Sequence, residues 1–375
     1  HSRRQLFERV VEFFNDWFHV DQERGECRIH KTIQDREAIR RHALGRFRDL
    51  LGAVTKSGAM LEYLDNRSNV AAAPNENFAR ELLELHTIGV GEYDERDVRE
   101  VARCFTGWTM FPRTDPRWGD FVFHPELHDD GPKVVLGATI EAGGGIADGE
   151  KVLDLVAAHP ATGRRIAERM AARFLGENAP PEAVVAAQHA YSRSGGDVRA
   201  MLRVVLRREQ FDAAEARGSR RFLRPFDLVA ALVRASGAVV EDHGGLIDEL
   251  AVLGHTPFAW PTPDGYPDRR AHWESSFAAR CALCERFFLG VVPGVTIVSP
   301  SPLELGRSDR RDGVAVALNA RWLDGRLCVA EREVLARRAR DLQPLDRAGE
   351  RRPLDDQGWR RVWALAACSP GFSEV

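Results

Sequence analysis

The sequence of 375 residues holds only six cysteines, Cys27, Cys104, Cys281, Cys284, Cys328 and Cys368. Their scatter excludes a disulfide-scaffold domain. Cys281 and Cys284 have thiol-pair spacing, but no second pair lies nearby to complete the four ligands of a structural zinc site. They read as buried or free thiols. Charge of one sign is also lacking: 53 basic against 56 acidic residues leave a formal net charge of −3, with no long block of either. A nucleic-acid partner would call for a basic stripe, so none is expected. No run approaches the roughly 18 apolar residues of a membrane span, and no export signal is visible from His1 onward. Three catalytic signatures are missing as well. Gly143-Gly144-Gly145 lacks the Lys and Ser/Thr of a phosphate loop, and there is neither a nucleophile elbow nor a His-Glu-x-x-His helix.

What remains is helical periodicity almost throughout, over 3–19, 36–56, 75–88, 95–106, 150–158, 161–175, 181–194, 197–211, 222–236, 245–254, 271–289, 328–342 and 356–368. Residues 119–137 alternate instead, around a His-Asp-Asp-Gly turn, and predict a small β-hairpin. Pro-, Gly- and Asp-rich stretches at 255–272 and 291–313 predict long loops. The expected fold is mainly α, a multi-helix non-solenoid assembly with a small β-hairpin insertion. Its main helical domain is expected over 1–290. Residues 291–375 would form a loop-rich linker and C-terminal helices packing on that domain.

The densest polar segment is Pro74-Asn75-Glu76-Asn77-Phe78-Ala79-Arg80-Glu81-Leu82-Leu83-Glu84-Leu85-His86, stopping at Gly89. At about 100° per residue, Glu76, Asn77, Arg80, Glu81 and Glu84 share one arc, and the apolar residues with His86 fill the other. Asn75 or Asn77 can cap the start, and Gly89 suits the left-handed residue after the last turn. Arg80 is four residues from both Glu76 and Glu84, so one guanidinium can bridge two carboxylates. Glu81 and Glu84, three apart, can share a proton or a cation. Asp94 and Asp97 predict a weak capping box for the next helix, which ends at Gly107 before Trp108.

This segment, with Tyr93-Asp94-Glu95-Arg96-Asp97-Val98 and Phe105-Thr106-Gly107-Trp108-Thr109, closely resembles the bacterial domain-of-unknown-function family 1800. Arg224-Pro225-Phe226-Asp227, Leu253-Gly254-His255-Thr256-Pro257-Phe258, Trp260-Pro261-Thr262-Pro263-Asp264-Gly265-Tyr266 and Ser369-Pro370-Gly371-Phe372 extend the resemblance over most of the chain. It implies an exported protein, periplasmic or extracellular, often found beside a sulfatase-like partner, and polymer chemistry by association only. Against the family pattern the chain looks N-terminally truncated. Asn15 and Trp17 stand where relatives tend to show histidines.

Three features are candidates for one site. Glu76, Glu81 and Glu84 are candidate acid, base or cation-holding groups, with Asn75, Asn77 and Arg80 as candidate substrate contacts beside Trp108. His128 and Asp129 are candidate ligands for one divalent cation, and His128 and Lys133 candidate contacts to an anionic substrate. An ordinary hairpin turn accounts for the same residues. The loop from Trp260 to Trp273 offers aromatics for a flat ligand face or for anchoring itself. Two readings stay open: a hydrolase or lyase acting on a polysaccharide or similar polymer, and a non-catalytic scaffold in which the charged arc is an ion-pair seam. Burial of the arc in a cleft favours the first.

Overall fold

The computed structural model describes residues 2–297, 313–323, 325–352 and 354–374. It is mainly helical, with three two-stranded antiparallel sheets as its only sheets among the described residues. The chain divides into two compact units. The larger comprises residues 2–219 with 257–267, and the smaller 220–256 with the chain from 268 onward. Each has its own apolar core. Phe13, Phe14, Trp17, Phe47, Phe78, Phe105 and Trp108 anchor the larger, and Leu232, Phe287, Phe288 and Trp363 the smaller.

Most helices lie where the apolar period puts them. Gln5–Trp17, Pro160–Leu175, Pro181–Ser194 and Val329–Asp341 end within a residue or two of expectation. The predicted helix over 36–56 is broken: a π-helical stretch Gln34–Arg40 and a helix Phe47–Thr55 are separated by a turn at 41–46. Cys27–Ile33 and Gly58–Tyr63 are short helices without a long enough apolar repeat to be read. Part of the predicted loop over 291–313 lies outside the described residues.

Residues 119–137 do not form one hairpin. Phe121–Phe123 pairs back with Trp108–Met110, and Lys133–Val135 pairs forward with Ala138–Ile140. The alternation was real, but each strand found a partner outside the segment. A buried polar cluster, described below, occupies the space between them.

The stretch 257–267 returns to the larger unit and is pinned there. The Gln22 amide donates to the Phe258 carbonyl at 2.8 Å, and His19 Nε2 lies 2.8 Å from the Trp260 carbonyl oxygen. Gly265 makes the closest approach. Its φ is +72°, and a Cβ there would stand 2.0 Å from the Asp16 carbonyl oxygen. Backbone cannot swing aside as a side chain can, so Gly265→Ala is expected to cost about 1–3 kcal/mol, as overpacking of a fixed wall does. Urea denaturation of the variant measures the loss, and faster proteolytic cutting within 257–267 would locate it.

Candidate functional site

The motif α-helix begins at Asn77, with Glu76 in the cap position and no side-chain cap, so neither Asn75 nor Asn77 caps it as expected. Asn75 Oδ1 accepts from the Asn77 amide at 3.0 Å, while the Asn75 amide donates to buried Asn69 Oδ1 at 2.9 Å. The α-helix then runs only over Asn77–Glu81 and widens into a π-helical turn, Leu82–His86. Each π turn takes up an extra residue. The Thr87 hydroxyl accordingly donates to the Leu82 carbonyl, and the Gly89 amide to that of Leu83. Such turns cluster at functional sites.

The widening rearranges the predicted arc. Arg80 does not bridge Glu76 and Glu84. It holds Glu95 of the next helix with two hydrogen bonds, 2.7 and 2.8 Å, and Glu76 at 3.3 Å. That helix, Glu95–Cys104, starts on the predicted Asp94/Asp97 capping box. Glu84 instead accepts from the Tyr93 hydroxyl at 3.1 Å. The Arg80 contacts are a half-exposed seam between two helices, and Arg80→Ala is expected to lower the melting temperature only slightly, as exposed ion pairs generally do. A large drop in a thermal melt would contradict this.

Glu81 stands apart from the seam. Among the described residues its side chain has no hydrogen bond and no ion pair, and it is half-buried. Burial pushes its carboxyl above the usual range, reinforced by the charges of Glu84 and Asp264, with Arg80 opposing. Asp264 arrives on the 257–267 stretch, its Oδ1 accepting from Trp260 Nε1 at 3.0 Å and from the Thr262 hydroxyl. Buried Tyr63 lies within range of the Glu81 charge. Its hydroxyl is pushed up by burial first and then by the charge of Asp21, with Glu81 a smaller contribution. Arg24 lies 5.3 Å over the Tyr63 ring and holds Asp65 at 2.9 Å. Asp65 has a left-handed backbone, φ 60°, and also accepts from Asn77 Nδ2 at 3.3 Å. Glu81 is thus close enough to Asp264 and Tyr63 for the charges to act on one another. Tyr63 and Asp264 were not among the predicted site residues. Nothing in the sequence ties either to Glu81.

The other predicted residues lie elsewhere. Trp108 is fully buried between Phe105 and Phe121. Trp273 belongs to the smaller unit, where its buried ring packs on His255 and His272. Asp129 is held by Arg103, at 2.7 Å from Nε and 3.1 Å from Nη2, which keeps its carboxyl below the usual range. His128 and Lys133 are buried and meet at Asp148, a residue the sequence reading passed over. Among the described residues no hydrogen bond or ion pair joins that cluster to the motif carboxylates. Among the described residues no group of three or more His, Cys, Asp or Glu side chains is arranged to hold a metal ion.

A family model described as "Protein of unknown function (DUF1800)" matches residues 1–373. The chain belongs to the DUF1800 family. No curated protein and no solved structure matches the sequence. Within this member of the DUF1800 family, Asn15 and Trp17 have structural work. Asn15 donates to Asp35 at 2.6 Å and accepts from buried Lys31 at 3.1 Å, and Trp17 donates to the His86 carbonyl at 3.0 Å. His86 is a core residue, held neutral by burial and by Arg165 and Arg169, which push it down to about 3. A cleft of about 490 Å³ opens on the larger unit beside Arg46, Arg48, Asp154, His159 and Tyr191. It contains none of the predicted site residues. No described helix is long and apolar enough to cross a membrane.

Proposed function

We propose that this DUF1800 chain is a hydrolase acting on an uncharged or amine-bearing polysaccharide, with Glu81 as general acid and Asp264 as the second carboxylate. One observation carries the reading: two neighbouring carboxyl groups sit in opposite environments. Glu81 is half-buried without a donor, and its pKa is raised; Asp264 accepts two hydrogen bonds. A half-buried carboxyl with a raised pKa beside a hydrogen-bonded one can supply one acid and one base or nucleophile. Trp260, bonded to Asp264 and 5.1 Å from the Tyr266 ring, adds an aromatic surface of the kind that sugar faces stack on.

The acidic surroundings favour hydrolysis over elimination. A lyase acting on an acidic sugar needs cations to neutralise the substrate carboxylate. Lys133 and His128, the expected cations, are buried against Asp148. Arg80, the cation that acts on Glu81, is held by Glu95 and Glu76, and Arg24 is paired to Asp65. A location outside the cytoplasm and a sulfatase-like partner follow from the family resemblance and belong to the same proposal. A scaffold role has one observation in its favour, the Glu76–Arg80–Glu95 seam, which explains half of the motif without chemistry.

The test is a reducing-end assay over neutral, amino and acidic polysaccharides, run with the wild type, Glu81→Gln and Asp264→Asn. New reducing ends from a neutral or amino polymer, lost in both variants, are the expected result. Release from acidic polymers alone would overturn the substrate class. Equal rates in the wild type and Glu81→Gln would overturn the assignment of the acid.

A further inference from the structure

We propose that Lys133 and Asp148 form an intramolecular amide bond, with His128 moving the protons. The three side chains are walled off from solvent. Lys133 Nζ lies 2.7 Å from Asp148 Oδ2, and both side chains have 0% exposure. His128 Nε2 is 3.3 Å from the same oxygen, at 1% exposure. The surroundings are aromatic: the Phe123 ring packs edge-on against His128 at 5.5 Å, and a Cβ on the neighbouring Gly149 would strike Trp108.

The hydrogen bonds fix where the protons are. His128 Nδ1 is 2.8 Å from the Thr106 carbonyl oxygen, which can only accept, so Nδ1 carries the ring proton. The Thr106 hydroxyl is no substitute donor, because it donates to the Arg103 carbonyl at 2.7 Å. Nε2 of the neutral ring is then a bare acceptor facing Asp148 Oδ2. A proton has to lie between them. An imidazolium would place a second cation beside the Lys133 ammonium inside the core, a costly arrangement. Transfer of one proton from Nζ to Oδ2 solves the problem with no net charge: Oδ2–H donates to Nε2, and Lys133 becomes a neutral amine.

That neutral trio is the reactive form. The carbonyls of Asp129 and Gly131 both accept from Nζ, the latter at 2.9 Å. Those two carbonyls and Asp148 Oδ2, which accepts at 2.7 Å, take all three N–H bonds of the resting ammonium; once the third proton has passed to Oδ2, the lone pair it leaves is directed at the Asp148 carboxyl. Asp148 Oδ1 has no donor and lies against Gly144, so nothing stabilises the carboxylate on that side. The Nζ lone pair attacks Cγ, and the C–N bond forms. Nζ passes a proton to His128 Nε2, which delivers it to the departing Oδ2 hydroxyl. The C–O bond breaks and one water leaves, so amine plus acid become amide plus water without a co-reactant. Fixed groups at contact distance react with effective molarities of about 10⁵–10⁸ M, which offsets the poor leaving group. The link would tie the two-stranded hairpin Lys133–Val135/Ala138–Ile140 to helix Ile146–Ala158, where an isolated hairpin is marginal.

Intact-mass spectrometry of the purified chain tests this directly. The expected mass is about 18 Da below that of the sequence, the loss of one water on amide formation. Fragment spectra should join the peptides containing Lys133 and Asp148. Lys133→Arg and His128→Phe should restore the sequence mass, the second at least for a large fraction of molecules. A wild-type chain at the sequence mass overturns the proposal. The same loss placed on a single unlinked peptide overturns it too, since the Asp130-Gly131 and Asp148-Gly149 steps can close to succinimides.

Discussion

Glu81→Gln is expected to cut turnover of the susceptible polymer by about 10²- to 10⁴-fold, the span attributed to a positioned general acid. The substitution keeps shape and breaks no side-chain hydrogen bond among the described residues. Its effect on stability has a definite sign. A carboxyl whose folded pKa is raised contributes stability below its unfolded pKa and loses it as pH rises through the folded one. At neutral pH the wild type holds a charge that burial, Glu84 and Asp264 all disfavour, and glutamine removes it. The variant should therefore melt at or above the wild-type temperature at neutral pH, and the difference should shrink toward acid pH. Activity should run the other way. The acid must carry its proton, so the rate falls as pH rises past the raised Glu81 pKa. A variant that melts well below wild type at neutral pH would make Glu81 a structural residue and return the motif to the scaffold reading.

How much of this was legible in the sequence depended on range. The Asp94–Asp97 box and most helix spans are local, and the chain reads them out within a turn or two. The partners of Arg80 were misread for a local reason. A fixed 100° per residue assumes an α-helix, whereas the π turn at Leu82–His86 carries Glu84 away toward Tyr93. Glu76, Arg80, Glu81 and Glu84 were seen as one arc, yet the fold separates them into a seam and a half-buried acid. The decisive neighbours of Glu81 were beyond reach. Tyr63 lies on a helix too short for a periodic signal, and Asp264 sits on a loop brought back from the far side of the smaller unit's first segment. Asp148 was missed because a lone acid in the first turn of a helix ordinarily faces solvent. Here the neighbouring hairpin covers it and supplies its lysine.

Asp148→Ala should be among the most damaging single substitutions in the chain, costing about 3–5 kcal/mol, as removal of one partner from a buried ion pair does. Lys133 would keep the carbonyls of Asp129 and Gly131 but lose its counter-charge at full burial, and His128 Nε2 would lose its Asp148 partner. Replacing both partners with apolar residues, Lys133→Met with Asp148→Leu, removes the stranded charge and should recover a large part of the loss. The residual gap has a separate meaning. If the pair is only an ion pair, the double variant should approach wild-type stability. If Lys133 and Asp148 are joined, the wild type also carries a cross-link that no side-chain packing replaces, and the double variant should stay clearly below it. Urea denaturation of the wild type and the two variants at one pH separates the charge contribution from the covalent one, and the intact mass of the same samples provides an independent reading.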